Sequence, residues 1–185
     1  MKCLIFAAGL GTRLKPLTDM MPKALVPVGG IPLIEHVTRK LKASGVDEAV
    51  VNVHHFADMV QQWVDKQDIM VMEVSDERKL LLETGGGVLH ARPYLEGCGK
   101  FLIHNVDILS DLDIRWFESC VKEEALATLL VSERKTSRYL LFDPATMLLK
   151  GWTNINTGEV RSPYPDLDPE RCLKLAFSGI HILSD

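Results

Sequence analysis

What the chain lacks narrows its function first. No apolar run approaches the roughly 18 residues that a membrane-spanning helix needs. The apolar opening, Cys3 to Ala8, stops at Gly9, and Arg13 and Lys15 follow soon after, so no secretory leader is expected. Cysteine is sparse. Cys3, Cys98, Cys120 and Cys172 form no CxxC pair, which argues against a disulfide framework or a cysteine-based zinc site and predicts reduced thiols in a cytoplasmic protein. The 6 histidines show no ligand spacing either. Aromatic residues are 6% of the total, and Trp63, Trp116 and Trp152 read as packing residues, not as a stacking platform. Basic excess is absent too: the net charge is -4, which argues against a general binder of nucleic acid or membrane surfaces.

What is present is a globular composition, 46% hydrophobic and 25% charged over 185 residues. That suits one domain with its own core. The charge is unevenly spread. The opening segment carries Lys2, Arg13, Lys15 and Lys23 against the single acid Asp19. A basic, Gly- and Pro-punctuated opening on an acidic body points to a local anion site.

Short apolar runs alternate with amphipathic stretches. The pattern predicts strands at Cys3–Ala8, Glu48–Val53, Ile69–Val74, Phe101–His104 and Leu126–Ser132. It predicts helices at Ile31–Ser44, with Ile34, Val37 and Leu41 on one face, and at His55–Lys66, with Phe56, Met59, Val60 and Trp63 inward. Further helices are expected at Val88–Leu95 and Leu112–Lys122. From Tyr139 the pattern changes to short strands with turns, a Pro-rich loop and a last strand, Leu175–Leu183. The fold class that follows is α/β: a Rossmann-like, mostly parallel sheet with helices on both faces and a small antiparallel addition. Ligands of such sheets bind at the carboxyl ends of the strands. Three segments belong there: Ala8–Lys23, Glu83–Gly87 and Asn105–Asp107.

The opening loop fits neither common phosphate motif. A dinucleotide fingerprint requires glycine where Leu14 stands, and no Gly-Lys-Ser/Thr follows to complete a P-loop. A glycine-rich turn remains, able to present backbone N–H groups to phosphate beside Arg13, Lys15 and Lys23. Such a cluster offsets the charge of a triphosphate. The competing reading is a surface loop with solvated charges.

The string is longer than any of these motifs. Ala7-Ala8-Gly9-Leu10-Gly11-Thr12-Arg13-Leu14 leads through Pro16, Leu17 and Thr18 to Pro22-Lys23-Ala24-Leu25-Val26-Pro27-Val28. It resembles the signature of sugar-1-phosphate nucleotidyltransferases, the nucleotide-sugar pyrophosphorylases. Glu83-Thr84-Gly85-Gly86-Gly87, Asn105-Val106-Asp107 and Phe177-Ser178-Gly179-Ile180 extend the likeness across the chain. They look most like bacterial N-acetylmuramate-1-phosphate uridylyltransferases and the mannose-1-phosphate guanylyltransferase-like enzymes.

The resemblance implies a GT-A-like nucleotidyltransferase fold. It implies transfer of a nucleotidyl group, UTP or GTP supplying it, to a sugar-1-phosphate, with release of pyrophosphate. It also implies roles for particular residues. Arg13 holds the β- and γ-phosphates, and Lys23 sits near the α-phosphate and the incoming sugar phosphate. Ala7, Ala8, Gly9, Gly11, Thr12, Glu83, Gly86, Gly87 and Asn105 are implied on the nucleotide side, with Asp107 as the Mg2+ ligand. Asn154, Glu159, Ser178 and Gly179 are implied on the sugar side. Val106 departs from the usual Gly-Asp, and Asp107 could instead cap the next turn. Thr84 as the N-cap of a flexible helix entry competes with a flat glycine surface against the base.

The expected partners are a nucleoside triphosphate and a sugar-1-phosphate, with no nucleic acid and no membrane; a homo-oligomer stays open. In the family a second metal aspartate follows the Phe-Ser-Gly-Ile strand. This chain ends at Asp185, so a single nucleotidyltransferase domain over 1–185, lacking its C-terminal segment, is expected. Two other functions remain: a non-catalytic nucleotide-sugar-binding regulatory subunit, and a choline-phosphate cytidylyltransferase. For the second, the scarcity of aromatics leaves little material for an ammonium cage.

Overall fold

In the computed structural model, which describes residues 1–185, Cys3, Leu4 and Ile5 of the first strand are all fully buried. Successive strand residues point to opposite faces, so both faces of this strand are covered, as in a central parallel strand. The chain runs β1 (Lys2–Phe6), three short helical turns, a hairpin of β2 (Pro27–Val28) and β3 (Ile31–Pro32), then α1 (Leu33–Ala43) and β4 (Glu48–Val53). It continues with α2 (Ala57–Lys66), β5 (Val71–Asp76), α3 (Glu83–Leu95), β6 (Lys100–Asn105), α4 (Ile114–Ser119) and β7 (Ala127–Ser132). It ends with β8 (Arg138–Phe142), β9 (Leu149–Asn154), β10 (Glu159–Arg161) and β11 (Leu173–Ser184).

The chain divides into two compact units, Met1–Thr128 with His181–Asp185, and Leu129–Ile180. In the first, the parallel strands are ordered β6-β1-β4-β5. One core cluster sets Leu4 and Val50 of the sheet against Ala91 and Leu95 of α3, with Phe101 and Ile103 from β6. Each of these side chains except the small Ala91 is worth about 1.5–3 kcal/mol when fully buried. In the second unit, β8, β9, β10 and the first part of β11 form an antiparallel set ordered β10-β9-β8-β11. The fold is therefore the α/β class read from the sequence, a mostly parallel sheet with an antiparallel addition.

Several boundaries and faces differ from expectation. Ile31 and Pro32 join the hairpin instead of α1, because the residue before proline is pushed toward extended backbone. Ile34, Val37 and Leu41 do line the inner face of α1. In α2 the inward stripe is Ala57, Val60 and Val64, and Met59 is 37% exposed. The helix begins only after Phe56, whose left-handed backbone (φ 54) sets the phase. Ile69 and Met70 form a turn and not a strand start, their N–H groups both donating to Gln67 Oε1. Trp116 is 57% exposed and is no packing residue.

The largest revision concerns α3. It starts at Glu83, so the three glycines lie inside the helix, and Thr84 is not its N-cap. Close packing explains two of them: a Cβ on Gly86 would lie 2.9 Å from Leu82 Cβ. A Cβ on Gly87 would lie 2.9 Å from Glu77 Oε1 and 3.1 Å from Asn52 Nδ2, so this turn can approach the sheet only without a side chain. Gly85 has open space around the same position. Gly85 and Gly87 give opposite expectations. Gly85→Ala raises the melting temperature, since alanine is favoured by about 1 kcal/mol in a helix. Gly87→Ala lowers it, because overpacking of about 1–3 kcal/mol outweighs propensity. Thermal melts of the two variants check the pair.

Burial also makes stability depend on pH. Desolvation pushes the His181 imidazole down to about 4, and burial moves His104 in the same direction. Unfolded histidine titrates near 6.5, so between there and the folded value the unfolded chain binds more protons. Stability therefore falls as pH drops through that window, by about 1–2 kcal/mol for His181 between pH 7 and 5. Denaturant midpoints at the two pH values check this, and His181→Gln removes its share.

Candidate active site

Strand register brings the site together. Phe6, at the end of β1, lies opposite Asn52 of β4 on one side and Asn105 of β6 on the other. Beyond these ends the chain must turn, and the turns surround a cavity of about 280 Å³. The opening loop contributes Ala7, Ala8, Gly9, Arg13 and Lys23; the start of α3 contributes Glu83 and Thr84; the end of β6 contributes Asn105, Val106 and Asp107. Eight of the sequence-predicted site residues thus share one cavity. Gly11, Thr12, Gly86 and Gly87 do not line it.

Local structure sets the cations. Gly11 has a left-handed backbone (φ 65), and a Cβ there would meet Thr18 Cγ2 at 2.8 Å and Lys23 Cβ at 3.1 Å. Its carbonyl accepts from Thr18 Oγ1 at 2.9 Å and from Leu14 N–H at 2.8 Å. Gly11 thus closes the loop against its far limb. Thr12 and Arg13 open the following helical turn, where the first N–H groups have no intrahelical acceptor. Arg13 is exposed and takes no part in any ion pair. Lys15, by contrast, pairs with Asp19 at 3.0 Å.

Lys23 follows Pro22 and begins a short turn anchored by the buried Ala24 and Val26. Its ammonium forms a salt bridge to Asp107 Oδ2, with side-chain exposures of 18% and 33%. Asp107 is carried by a fixed arm: Val106 is buried, and its N–H donates to the Phe6 carbonyl at 3.0 Å. Val106 therefore packs at the base of the cavity. Glu83 has a left-handed backbone (φ 59), a conformation rare outside glycine that tends to occur at ligand sites.

Sequence reasoning missed Asn52 and Glu77, which are 2% and 3% exposed. Asn52 Oδ1 accepts from the N–H groups of Ala7 at 2.7 Å and Ala8 at 3.2 Å. Asn52 Nδ2 donates to Glu77 Oε1 at 2.8 Å. A signal for Asn52 did exist, because an asparagine within the apolar strand Glu48–Val53 must find partners when buried. Glu77 had none: it sits among the charged residues Asp76 and Arg78 and reads as solvated.

The residues assigned to the sugar side lie in the second unit. Asn154 and Glu159 pair across β9 and β10. Asn154 Oδ1 accepts from Asn156 N–H at 3.1 Å, and Glu159 Oε1 from Arg161 Nε at 2.7 Å. Ser178 and Gly179 lie in β11, Gly179 with φ 77. As for a metal, no group of three or more His, Cys, Asp and Glu side chains gathers into a cage. Asp107 at the cavity fits the habit of Mg2+, which takes one or two carboxylates and completes its shell with phosphates and water.

Residues 3–154 match the family described as the MobA-like NTP transferase domain. An N-acetylmuramate alpha-1-phosphate uridylyltransferase of Caulobacter vibrioides is 46% identical over 108 residues, 56% of this chain and 44% of that protein. Its counterpart from Neisseria meningitidis serogroup B is 38% identical over 115 residues, 61% of this chain and 49% of that protein. The chain thus spans about half the length of these relatives. The crystal structure of HddC from Yersinia pseudotuberculosis superimposes with a TM-score of 0.74 over 99% of this chain and 76% of that one, at 24% identity. That likeness is one of fold. No helix is long and apolar enough to cross a membrane.

Proposed function

The chain belongs to the MobA-like NTP transferase domain family, and from that premise we propose that it transfers a nucleotidyl group from UTP or GTP to a sugar-1-phosphate. The observation that carries this reading is the meeting of Arg13, Lys23 and Asp107 at one cavity, at the carboxyl ends of parallel strands. The two N-acetylmuramate alpha-1-phosphate uridylyltransferases favour UTP as donor and an amino-sugar acid phosphate as acceptor. Synthesis of a cell-wall precursor in the cytoplasm follows as part of the same reading.

In this mechanism an oxygen of the sugar phosphate attacks the α-phosphorus, the α–β phosphoanhydride bond breaks, and pyrophosphate leaves with the bonding pair. Such chemistry needs positioning and charge neutralisation more than bond-making groups from the protein. Arg13, with the N–H groups at the start of its helical turn, holds the β- and γ-phosphates and the departing pyrophosphate. Lys23 bridges the α-phosphate and the sugar phosphate. Asp107 is the residue that would hold Mg2+, which when bound neutralises phosphate charge. Lys23 and Asp107 neutralise each other; in this mechanism the substrate phosphates and Mg2+ give each a new partner. Glu83, Asn105 and the head of α3 face the nucleoside, and Asn154, Glu159, Ser178 and Gly179 serve the sugar.

The test is product analysis across four nucleoside triphosphates, a panel of sugar-1-phosphates and phosphocholine, with Mg2+. A nucleotide-sugar from one preferred pair supports the proposal and names base and acceptor together. Product only with CTP and phosphocholine would replace the acceptor class. Tight nucleotide-sugar binding without turnover of any pair would make this a regulatory protein.

A further inference from the structure

Asn52 and Glu77 have no part in the reaction as described, yet they form the floor beneath it. The hydrogen bonds read as one file. The peptide joining Phe6 to Ala7 is held at both ends: its carbonyl accepts from Val106 N–H at 3.0 Å, and its N–H donates to Asn52 Oδ1 at 2.7 Å. Asn52 also takes the Ala8 N–H and passes on through its own amide to Glu77 Oε1. Glu77 Oε2 accepts the N–H of Leu82, the residue just before α3, at 3.3 Å, while its backbone N–H donates to Val53 O at 2.8 Å. The file therefore connects the arm of Asp107, the phosphate-binding loop and the head of α3, three walls remote in sequence. Gly87 lies directly against it.

The chemistry of the pair is restrictive. A side chain at 52 must accept two N–H groups and donate one proton to its neighbour, which among residues of this shape asparagine does and aspartate does not. Buried polar groups cost free energy unless bonded, so a break at either member leaves a donor or acceptor unmet. We propose, resting on the function above, that Asn52 and Glu77 are positioning residues: they fix the spacing between the phosphate loop and the nucleoside wall, and with it the rate and the choice of triphosphate.

A polarity exchange tests this. Asn52→Asp alone sets a carboxyl against Glu77, and Glu77→Gln alone sets an amide N–H₂ against a donor. In Asn52→Asp/Glu77→Gln each bond returns with its direction reversed between the two side chains. The carboxylate introduced at position 52 would accept the loop N–H groups and a proton from the amide introduced at position 77. The carbonyl of that amide would accept from Leu82. Each single variant should lower kcat by about tenfold or more and narrow the preference between the best and second triphosphate. The double variant should recover to within about threefold of the wild-type protein in both.

A double variant that is folded, by its melt, yet no better than the worse single variant overturns the proposal. So do single variants with wild-type kcat and preference. Should the single variants fail to fold, the double variant alone decides by the same criteria. A wild-type protein that turns over no pair is a failure of the proposed function, not of the bridge. Nucleoside triphosphate binding in Mg2+-free buffer then reads the same series, with recovery in the double variant supporting the bridge and its absence overturning it.

Discussion

Lys23→Ala is expected to lower pyrophosphate release by at least about a hundredfold, roughly 2.7 kcal/mol of transition-state stabilisation. Lys23 is a cation aimed at the cavity by a short turn whose neighbours, Ala24 and Val26, are buried, so the backbone that carries it is fixed. A charge held in place acts on the transition state without reorganising at the moment of reaction. Its loss also leaves the Asp107 carboxylate unopposed where phosphates must enter, adding repulsion to lost attraction. The fall should be mainly in kcat, because the charge it answers develops during transfer. The fold should hold, since a partly exposed ion pair contributes about 1 kcal/mol or less. Pyrophosphate release at saturating substrates, with a thermal melt beside it, checks both halves.

Asp107→Asn is the second large effect, and the sign of one measurement separates it from the first. Asparagine keeps the shape but loses the charge, so activity should fall by about a hundredfold or more and half-saturation with Mg2+ should move up at least about tenfold. In Mg2+-free buffer the two variants diverge. Asp107→Asn releases Lys23 from its partner and should tighten triphosphate binding, whereas Lys23→Ala should weaken it. Titration of each variant with nucleoside triphosphate in the presence of a chelator reads the difference. If both variants weaken binding alike, the pair is not an exchange of partners.

Much of this was legible in the sequence because it is local. The apolar run of Cys3–Ile5 and the Glu48–Val53 strand declared themselves by composition, and strand–helix alternation then placed the loops on one edge of the sheet. Arg13 and Lys23 are exposed or half-buried polar residues near punctuating glycines and prolines, Asp107 is an exposed one just past an apolar strand, and sequence motifs record such residues well. The rest depends on distance in space. The glycines of α3 suggested a flexible entry, and only the 2.9 Å approach to Glu77 reveals why Gly87 is tolerated inside a helix. Glu77 looks solvated among its charged neighbours, and its burial follows from a hydrogen bond to Asn52, 25 residues away. Helix faces shifted for a similar reason: the left-handed backbone at Phe56 sets the phase of α2, which hydrophobicity alone does not encode.

The central claim is that this cavity joins a nucleotidyl group to a sugar phosphate. Phosphorus NMR of the protein with Mg2+, one triphosphate and one sugar-1-phosphate tests it most directly. The account predicts a sugar-linked diphosphate signal and free pyrophosphate growing in equal amounts, both absent with Lys23→Ala. Inorganic phosphate and nucleoside diphosphate in their place, or product formed equally by the Lys23→Ala variant, would contradict it.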